Sequence, residues 1–259
     1  MMSDKTHDAR PLAGQTIMVT RPGDEDDALS KQLHELGADV LAQPAIRISD
    51  PPDWQPVDDV LTRLDRFDWI VFSSANGVSY FLGRLFTVGG DLRRLSGVNL
   101  AAIGPATAEE LLHYNLHADV IPPEFRAESL AQSLAGEASG KRFLLVRASR
   151  GREVLAEQLA AAGAIVEQVV AYTSSDLDRP DPKIAAMLTA GRIDWITVTS
   201  SSIARSLVAL FGEKLRQSKL ASISPVTSRT LKELGYEPAV EAAEYTMPGL
   251  VDAIRHAVD

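Results

Sequence analysis

The sequence predicts an α/β protein of two similar domains, each a parallel, flavodoxin-like sheet flanked by helices. Short β-branched runs alternate with amphipathic helical patterns along the chain, and its second half repeats its first. An extended, Pro-rich stretch also recurs at the matching place in each half.

Taken in order, "TIMVT" (16 to 20) reads as a first strand, because successive apolar and β-branched residues suit a strand buried on both faces. "DEDDALSKQLHELGA" then places Leu29, Leu33 and Leu36 on one helical face and stops at Gly37, a residue fitted to a helix C′ position. "WIVFSS" (69 to 74), "LAAIG" (100 to 104) and "RFLLVRAS" (142 to 149) are the next strands. "REVLAEQLAAAGA" repeats the earlier helical plan with Val154, Leu155, Leu159 and Gly163. "AIVEQVVAYTS" (164 to 174), "WITVTSS" (195 to 201) and "LASIS" (220 to 224) complete the strand set.

The repeat fixes the domain count. Asp68-Trp69-Ile70 returns as Asp194-Trp195-Ile196, and Gln32-Leu33 with Gly37-Ala38 returns as Gln158-Leu159 with Gly163-Ala164, both shifted by 126 residues. Thr107 and Thr227 differ by 120, as do Ser129-Leu130 and Gly249-Leu250, so a deletion of about six residues near Gly89-Gly90 accounts for both offsets. Only two copies of so long a period mean duplication into paired domains, not a solenoid. "LAQPAIRISDPPDWQP" (41 to 56) and "AYTSSDLDRPDP" (171 to 182) read as paired connectors. The expected division is discontinuous: 1–45 plus 175–259 as one domain, 46–174 as the other, with linkers near 41–50 and 170–177.

Composition removes several classes of function. The 259 residues are 45% hydrophobic and 24% charged, as in an average folded protein. A formal charge of −9 without a basic stripe argues against nucleic acid, whose affinity comes from Lys and Arg on phosphates. Without cysteine there are no disulfides, thiolate nucleophiles or Cys-ligated zinc. The opening residues lack a signal-peptide core and no run reaches about 18 apolar residues, so the expectation is a cytoplasmic protein outside the membrane. No Gly-x-Gly-x-x-Gly and no phosphate-binding P-loop occurs, so nucleotide cofactors lose their usual signatures.

Candidate chemistry gathers at the strand-to-helix turns, which lie at the carboxyl edge of a parallel sheet where helix amino termini offer free N–H groups to anions. Two turns are near copies: "AIGPATAEE" (102 to 110) and "SISPVTS" (222 to 228). In the first, either Gly104 or Thr107 is the cap; Pro105 favours Gly104, while Thr107 with Glu110 fits a capping box. Thr107 and Thr227 are thus cap residues or ligand groups facing one cleft, and Ser73, Ser74, Ser200 and Ser201 admit the same two readings. Arg147, Arg150 and Arg152 crowd a helix start that prefers anions, either as a solvated patch or, with Arg21 at the equivalent turn, as anion ligands. The acidic run Asp24 to Asp27 suits a helix start better than a metal site, and His113 and His117 lack a third ligand; no metal is expected. Tyr172, where a strand becomes the second connector, is either a buried strand residue or a phenol that donates to a departing oxygen.

In their order and spacing, "VTRP", "FSSANGV", "AIGPATAEEL", "LLVRASRGRE", "VVAYTS", "TVTSSS" and "SPVTSRTL" resemble the uroporphyrinogen-III synthase family over nearly the whole chain. The resemblance implies two α/β domains joined by a two-stranded β-ladder. It implies a monomeric, cofactor-independent lyase that closes hydroxymethylbilane, received from the preceding pathway enzyme, to uroporphyrinogen III with loss of water and inversion of the last ring. By the same resemblance Tyr172 assists the departing hydroxyl, and Ser73, Ser74, Thr107, Ser200, Ser201 and Thr227 line the substrate site; Arg21 and Arg147, read from their turns as anion ligands, are compatible with its carboxylates. Ser224 stands where the family usually shows glycine. The competing reading is a two-domain hinge protein that binds a small anion without catalysis.

Overall fold

The computed structural model describes residues 10–23 and 28–258; the acidic run Asp24 to Asp27 lies outside them. The chain forms β1 (Thr16–Val19), α1 (Ala28–Glu35) and β2 (Asp39–Ala42), then passes through β3 (Ile46–Ser49) into α2 (Gln55–Leu61). β4 (Trp69–Phe72), α3 (Ala75–Thr87), β5 (Asn99–Ala102), α4 (Pro105–His113) and α5 (Ala127–Leu134) follow. Next come β6 (Arg142–Ala148), α6 (Val154–Ala161) and the long β7 (Ile165–Asp176). The chain closes with α7 (Pro182–Thr189), β8 (Trp195–Val198), α8 (Ser201–Phe211), β9 (Lys219–Ser222), α9 (Pro225–Glu233), β10 (Val240–Glu241) and α10 (Met247–Val258).

These elements fall into two compact units, Met1–Arg47 with Ser175–Asp259 and Ile48–Ser174. The first sheet has the order β2-β1-β8-β9-β10, its neighbours parallel. The second runs β3-β7-β6-β4-β5, with a parallel bridge from Ala101 to Val120 standing where the first sheet has β10. Counted along the duplicated plan, both show the doubly wound order 2-1-3-4-5 of flavodoxin-like sheets.

The duplication and the units do not coincide. β1-α1-β2 of the first copy is completed by β8, β9 and β10 of the second, whereas β6-α6-β7 of the second copy is completed by β4 and β5 of the first. The helices obey the same exchange: α1 packs on α10, and α6 packs on α5. The stretch 41–56 is less uniform than its proline content implies. It begins inside β2, contains β3 and ends in the first turn of α2, where Pro56 occupies a position that needs no donor.

Both faces of each sheet are covered, which explains the continuous apolar strands. In the second unit Ile70, Phe72, Leu144 and Val146 point into one buried cluster, and Trp69, Val71, Phe143 and Leu145 into the opposite one. Burying one such side chain fully contributes about 1.5–3 kcal/mol. Gly37 and Gly163 end α1 and α6 at φ +94° and +91°, conformations that a residue with a Cβ enters only at a cost.

The repeated Asp-Trp pairs have a structural office. Asp68 donates its amide to Arg142 O (3.0 Å), accepts the Asn99 amide at its carbonyl (2.9 Å), and accepts the Arg142 amide at its carboxylate (2.8 Å). It therefore joins the feet of β4, β5 and β6. Asp194 does the same for β8, β9 and β1: its amide donates to Thr16 O (2.9 Å), its carbonyl accepts from Lys219 N (2.9 Å), and its carboxylate accepts from Thr16 N (2.8 Å).

The Arg142 amide, then the Lys141 ammonium at 2.8 Å, hold the Asp68 carboxyl below its ordinary value. A folded-state value below the unfolded one adds stability that is present above the unfolded pKa and lost as pH falls through the folded one. Asp68→Ala is expected to cost about 1.5–3 kcal/mol in urea unfolding at pH 7. The difference from the wild-type chain should shrink below the ordinary carboxylate range, near pH 4. An undiminished difference in acid would assign the cost to lost packing.

Candidate active site

In the second unit, β7, β6, β4 and β5 are neighbours, so their carboxyl ends bring Tyr172, Arg147, the Ser73-Ser74 turn and the Gly104 turn to one edge. Tyr172 is on β7 and Ser74 follows β4, with β6 between them. Two strand spacings are about 10 Å, and the long tyrosine side chain reaches across most of that distance. Its Oη lies 2.8 Å from Ser74 Oγ.

A break in the ladder permits this reach. β6 and β7 keep step to Arg147 opposite Val170, after which Ala148 faces Tyr172 and one residue of β7 is passed over. Strict alternation would turn Tyr172 to the side of Val170, which is 37% exposed; the bulge instead buries both Ala171 and Tyr172, the latter to 6%. The phenol ring packs on Tyr80, centroids 5.5 Å apart, and Tyr80 stacks in turn on Trp54 at 6.5 Å. Burial pushes the Tyr172 phenol above its usual value, and the Ser74 contact opposes that rise.

Ser74 has a second task. In extended conformation at the start of α3, it accepts the Gly77 amide at 3.0 Å. One hydroxyl therefore joins a helix amino terminus to the phenol. Ser73 Oγ donates to the Val146 carbonyl at 3.3 Å, bracing the end of β4 against β6. Gly104, rather than Thr107, caps α4, with Pro105 next; Thr107 is 3% exposed, so its side chain faces inward.

The Arg147 guanidinium is engaged locally. It pairs with Glu153, donates to Gln168 Oε1 at 2.7 Å and to Gly151 O at 3.3 Å; Gln168 also holds Glu153 at 2.8 Å. Gln168 and then Arg147 keep the Glu153 carboxyl below its ordinary range. The cation that seemed misplaced at a helix start is thus matched by the acidic residue beside it, a pairing the sequence analysis did not weigh.

The first unit repeats the edge with different chemistry. Ser200 caps α8, accepting from the Ile203 amide at 3.2 Å, but its other contact is Ser202 Oγ at 3.0 Å. The position 126 residues before Tyr172 is Ile46, buried in β3 of the second sheet, so the repeat supplies no second phenol. Ser201 accepts from Thr230 Oγ1 at 2.9 Å and reaches the Val226 carbonyl at 3.4 Å, tying α8 to α9. Ser224 caps α9 and lies 3.2 Å from Thr227 Oγ1; Thr227 is 2% exposed. Arg21 follows the end of β1, half-buried. A polar hollow of about 370 Å³, lined by Gln15, Asp194, Arg216 and Lys219, opens at the amino edge of this unit, the wrong end of the sheet for helix-start chemistry. Among the described residues no group of three or more His, Asp or Glu is placed to hold a metal, and no helix is long and apolar enough to cross a membrane.

Comparison with known proteins points the same way as the residues. A family model described as "Uroporphyrinogen-III synthase HemD" matches residues 27–252. The chain is 35% identical to a uroporphyrinogen-III synthase of Synechococcus elongatus over 257 residues, covering 95% of this chain and 96% of that protein. It is 26% identical to the uroporphyrinogen-III synthase of Escherichia coli, covering 86% and 92%. Solved structures of uroporphyrinogen III synthase from Thermus thermophilus (a triple mutant; TM-score 0.66, 17% identity, 94% of this chain and 98% of that one) and of the synthetase from Helicobacter pylori (TM-score 0.64, 15% identity, 94% and 99%) share the fold.

With tyrosines labelled at ¹³Cζ, the Tyr172 resonance, identified by its loss in Tyr172→Phe, is expected to titrate above pH 10. Ser74→Ala removes a contact that favours the ionised form, so the midpoint should rise further. A midpoint that falls or stays fixed in Ser74→Ala would show that the 2.8 Å contact does not govern the phenol.

Proposed function

Because this chain belongs to the uroporphyrinogen-III synthase family, we propose that it is a lyase converting hydroxymethylbilane to uroporphyrinogen III, with loss of water and inversion of the last ring. The observation that carries the reading is the Tyr172–Ser74 hydroxyl pair at the start of α3. The hinge-protein alternative is not favoured, since the family and the named relatives are synthases.

The chemistry asks little of acid–base strength and much of placement. Breaking the carbon–oxygen bond of the hydroxymethyl group requires a proton on the departing oxygen, and a phenol raised by burial is protonated at neutral pH. The departing oxygen leaves as water, and the carbon it leaves carries positive charge shared with its pyrrole nitrogen. The substituted α-carbon of the last ring attacks that cation to give a spiro intermediate. Its bond to the old methylene bridge then breaks, leaving the positive charge on that methylene and its pyrrole. The ring's free α-carbon attacks the methylene, which inverts the ring; loss of the proton from this carbon restores the pyrrole and returns a proton to the phenol. Protons balance and no redox partner is needed. The substrate also closes unaided without inversion, so the protein must favour one closure over another. A hundredfold preference corresponds to about 2.7 kcal/mol of differential transition-state binding.

Substrate carboxylates are matched by the amide-rich helix starts at Ser74, Gly104, Ser200 and Ser224. Thr107, Thr227, Ser73 and Ser201, buried or bonded within the fold, support this role by shaping the turns. Arg21 and Arg147 stand near the ends of β1 and β6, and Arg147 would meet a substrate carboxylate by exchanging it for Glu153. We further propose a cytoplasmic monomer that receives its substrate from the enzyme preceding it.

The purified chain, given freshly generated hydroxymethylbilane without metal or cofactor, is expected to yield mainly isomer III after oxidation and chromatographic separation. Isomer I alone at the spontaneous rate would reject the reading. Tyr172→Phe should lower kcat about 100-fold while KM stays within about threefold, in keeping with loss of a proton donor. Thr227→Ala should cost less than about tenfold in kcat/KM, because its hydroxyl is turned inward. An unchanged rate in Tyr172→Phe would remove that residue from the mechanism.

A further inference from the structure

Two exposed aromatics occupy one position of the duplicated plan. Phe125 is 37% exposed and Tyr245, 120 residues later, 40%. Each is the centre of the same three-residue turn. The Arg126 amide donates to Glu124 O at 2.8 Å, and the Thr246 amide to Glu244 O at 2.8 Å. Both central side chains are left partly exposed by this i to i+2 turn, and in both units the next residues begin a helix, α5 or α10. Both turns lie at the carboxyl edge, beyond Val120 in one unit and beyond β10 in the other.

The ring of Phe125 stands against the capping turn of α4. A Cβ placed on Gly104 would meet Phe125 Cβ at 3.1 Å and Cγ at 3.2 Å. That crowding explains why the first Pro-x-Thr turn carries glycine. Glu124 recurs as Glu244 and Leu130 as Leu250, whereas Arg126 is replaced by Thr246 and Ala127 by Met247. A lone exposed aromatic needs no explanation. An aromatic left exposed at the apex of the same turn in both copies, where burial in the fold does not account for it, is a feature in want of a ligand. Phe86 makes the contrast: 43% exposed and stacked on Tyr114 in the last turn of α3, it corresponds to Gly212 in the second copy.

We propose that Phe125 and Tyr245 contact the substrate, each presenting an aromatic face to a pyrrole ring at its own sheet edge. The inference rests on the synthase reading above. A linear tetrapyrrole carries flat electron-rich rings between carboxylate arms; helix-start amides suit the arms and offer the rings nothing. The Phe125 ring beside the Gly104 turn, and the Tyr245 ring exposed at the matching turn, supply the missing half, with offset or edge-to-face contact. They act in binding and in the choice of fold for the substrate, not in proton transfer.

The test compares the full-length chain with Phe125→Ala, Tyr245→Ala, Phe125→Leu, Tyr245→Phe and, as a control at the opposite edge, Phe86→Ala. KM for hydroxymethylbilane, kcat and the isomer III to I ratio are measured, with thermal midpoints alongside. KM is expected to rise about tenfold in each alanine variant, with kcat within about threefold and the isomer ratio lowered. Tyr245→Phe should match the wild-type chain, Phe125→Leu should fall between wild type and alanine, and Phe86→Ala should leave KM unchanged. Wild-type conversion with KM within twofold in Phe125→Leu and Tyr245→Ala overturns this inference alone, even if Phe125→Ala fails to fold. A KM rise matched by Phe86→Ala overturns it too, as a general effect of truncation. Failure of the wild-type chain to make isomer III overturns the synthase reading and this inference with it.

Discussion

One carboxylate at the foot of each central strand sets the level at which everything at the other edge is built. Asp68 holds the first residues of β4, β5 and β6 in step. β4 and β5 then end together after four residues, at Phe72 and Ala102, in parallel register throughout. A slip of one residue would turn Phe72 from one buried cluster to the other face and carry Ser74 with it. The pinned register thus brings the ends of neighbouring strands to one height. There the chain must reverse into helices whose first N–H groups have no partner within the helix. Ser74, Ser200 and Ser224 each answer with a side-chain oxygen, and Gly104 with Pro105 behind it removes one donor outright. The residues that cap these helices are consequently the same ones proposed above to meet the substrate carboxylates.

Duplication supplied this edge twice, and divergence gave the two edges different work. The cap hydroxyl of Ser74 meets Tyr172, whereas that of Ser200 meets Ser202. Ile46, at the sequence position that matches the tyrosine, lies in β3 of the second sheet and offers no hydroxyl. Ser224 engages Thr227, whereas a side chain at Gly104 would strike Phe125. The exchange of strands between copies adds a further consequence. Tyr172 belongs to the second copy and Ser74 to the first, so the hydroxyl pair exists only because each unit is assembled from both.

Much of this was legible in the sequence because it depends on local rules. Strand runs, helix periods and the Asp-Trp repeat all follow from burial on two sheet faces, and the Pro-x-Thr turns from helix capping. The paired Pro-rich connectors, at matching places in the two copies, are what pointed to a discontinuous path. What escaped depends on tertiary geometry. β10 has two residues and the bridge at Val120 only one, too short for any period to register. The pairing of Arg147 with Glu153 requires knowing where Gln168 of the neighbouring strand lies. Thr107 and Thr227 resemble ligand groups in a linear reading, yet the third helical position turns them toward the sheet. Phe125 and Tyr245 were visible as letters, but their shared turn appears only as two backbone hydrogen bonds.

The bulge in β7 is the least foreseeable of these features and the one on which the candidate chemistry turns. A regular strand would leave the Tyr172 phenol on the side of exposed Val170, hydrogen-bonded to water and free to rotate. Passing over one residue costs a ladder position but moves the ring into the apolar cluster formed by Phe72, Val78 and Phe81. Burial there raises the phenol's pKa, and the contact with Ser74 opposes the rise. The packing of Tyr80 and Trp54 removes the remaining rotational freedom. The donor role proposed for this phenol needs no strong shift, since the leaving group already departs unaided; it needs a fixed position. Backbone irregularity, aromatic packing and a helix cap converge on that single requirement, and no one of them would meet it alone.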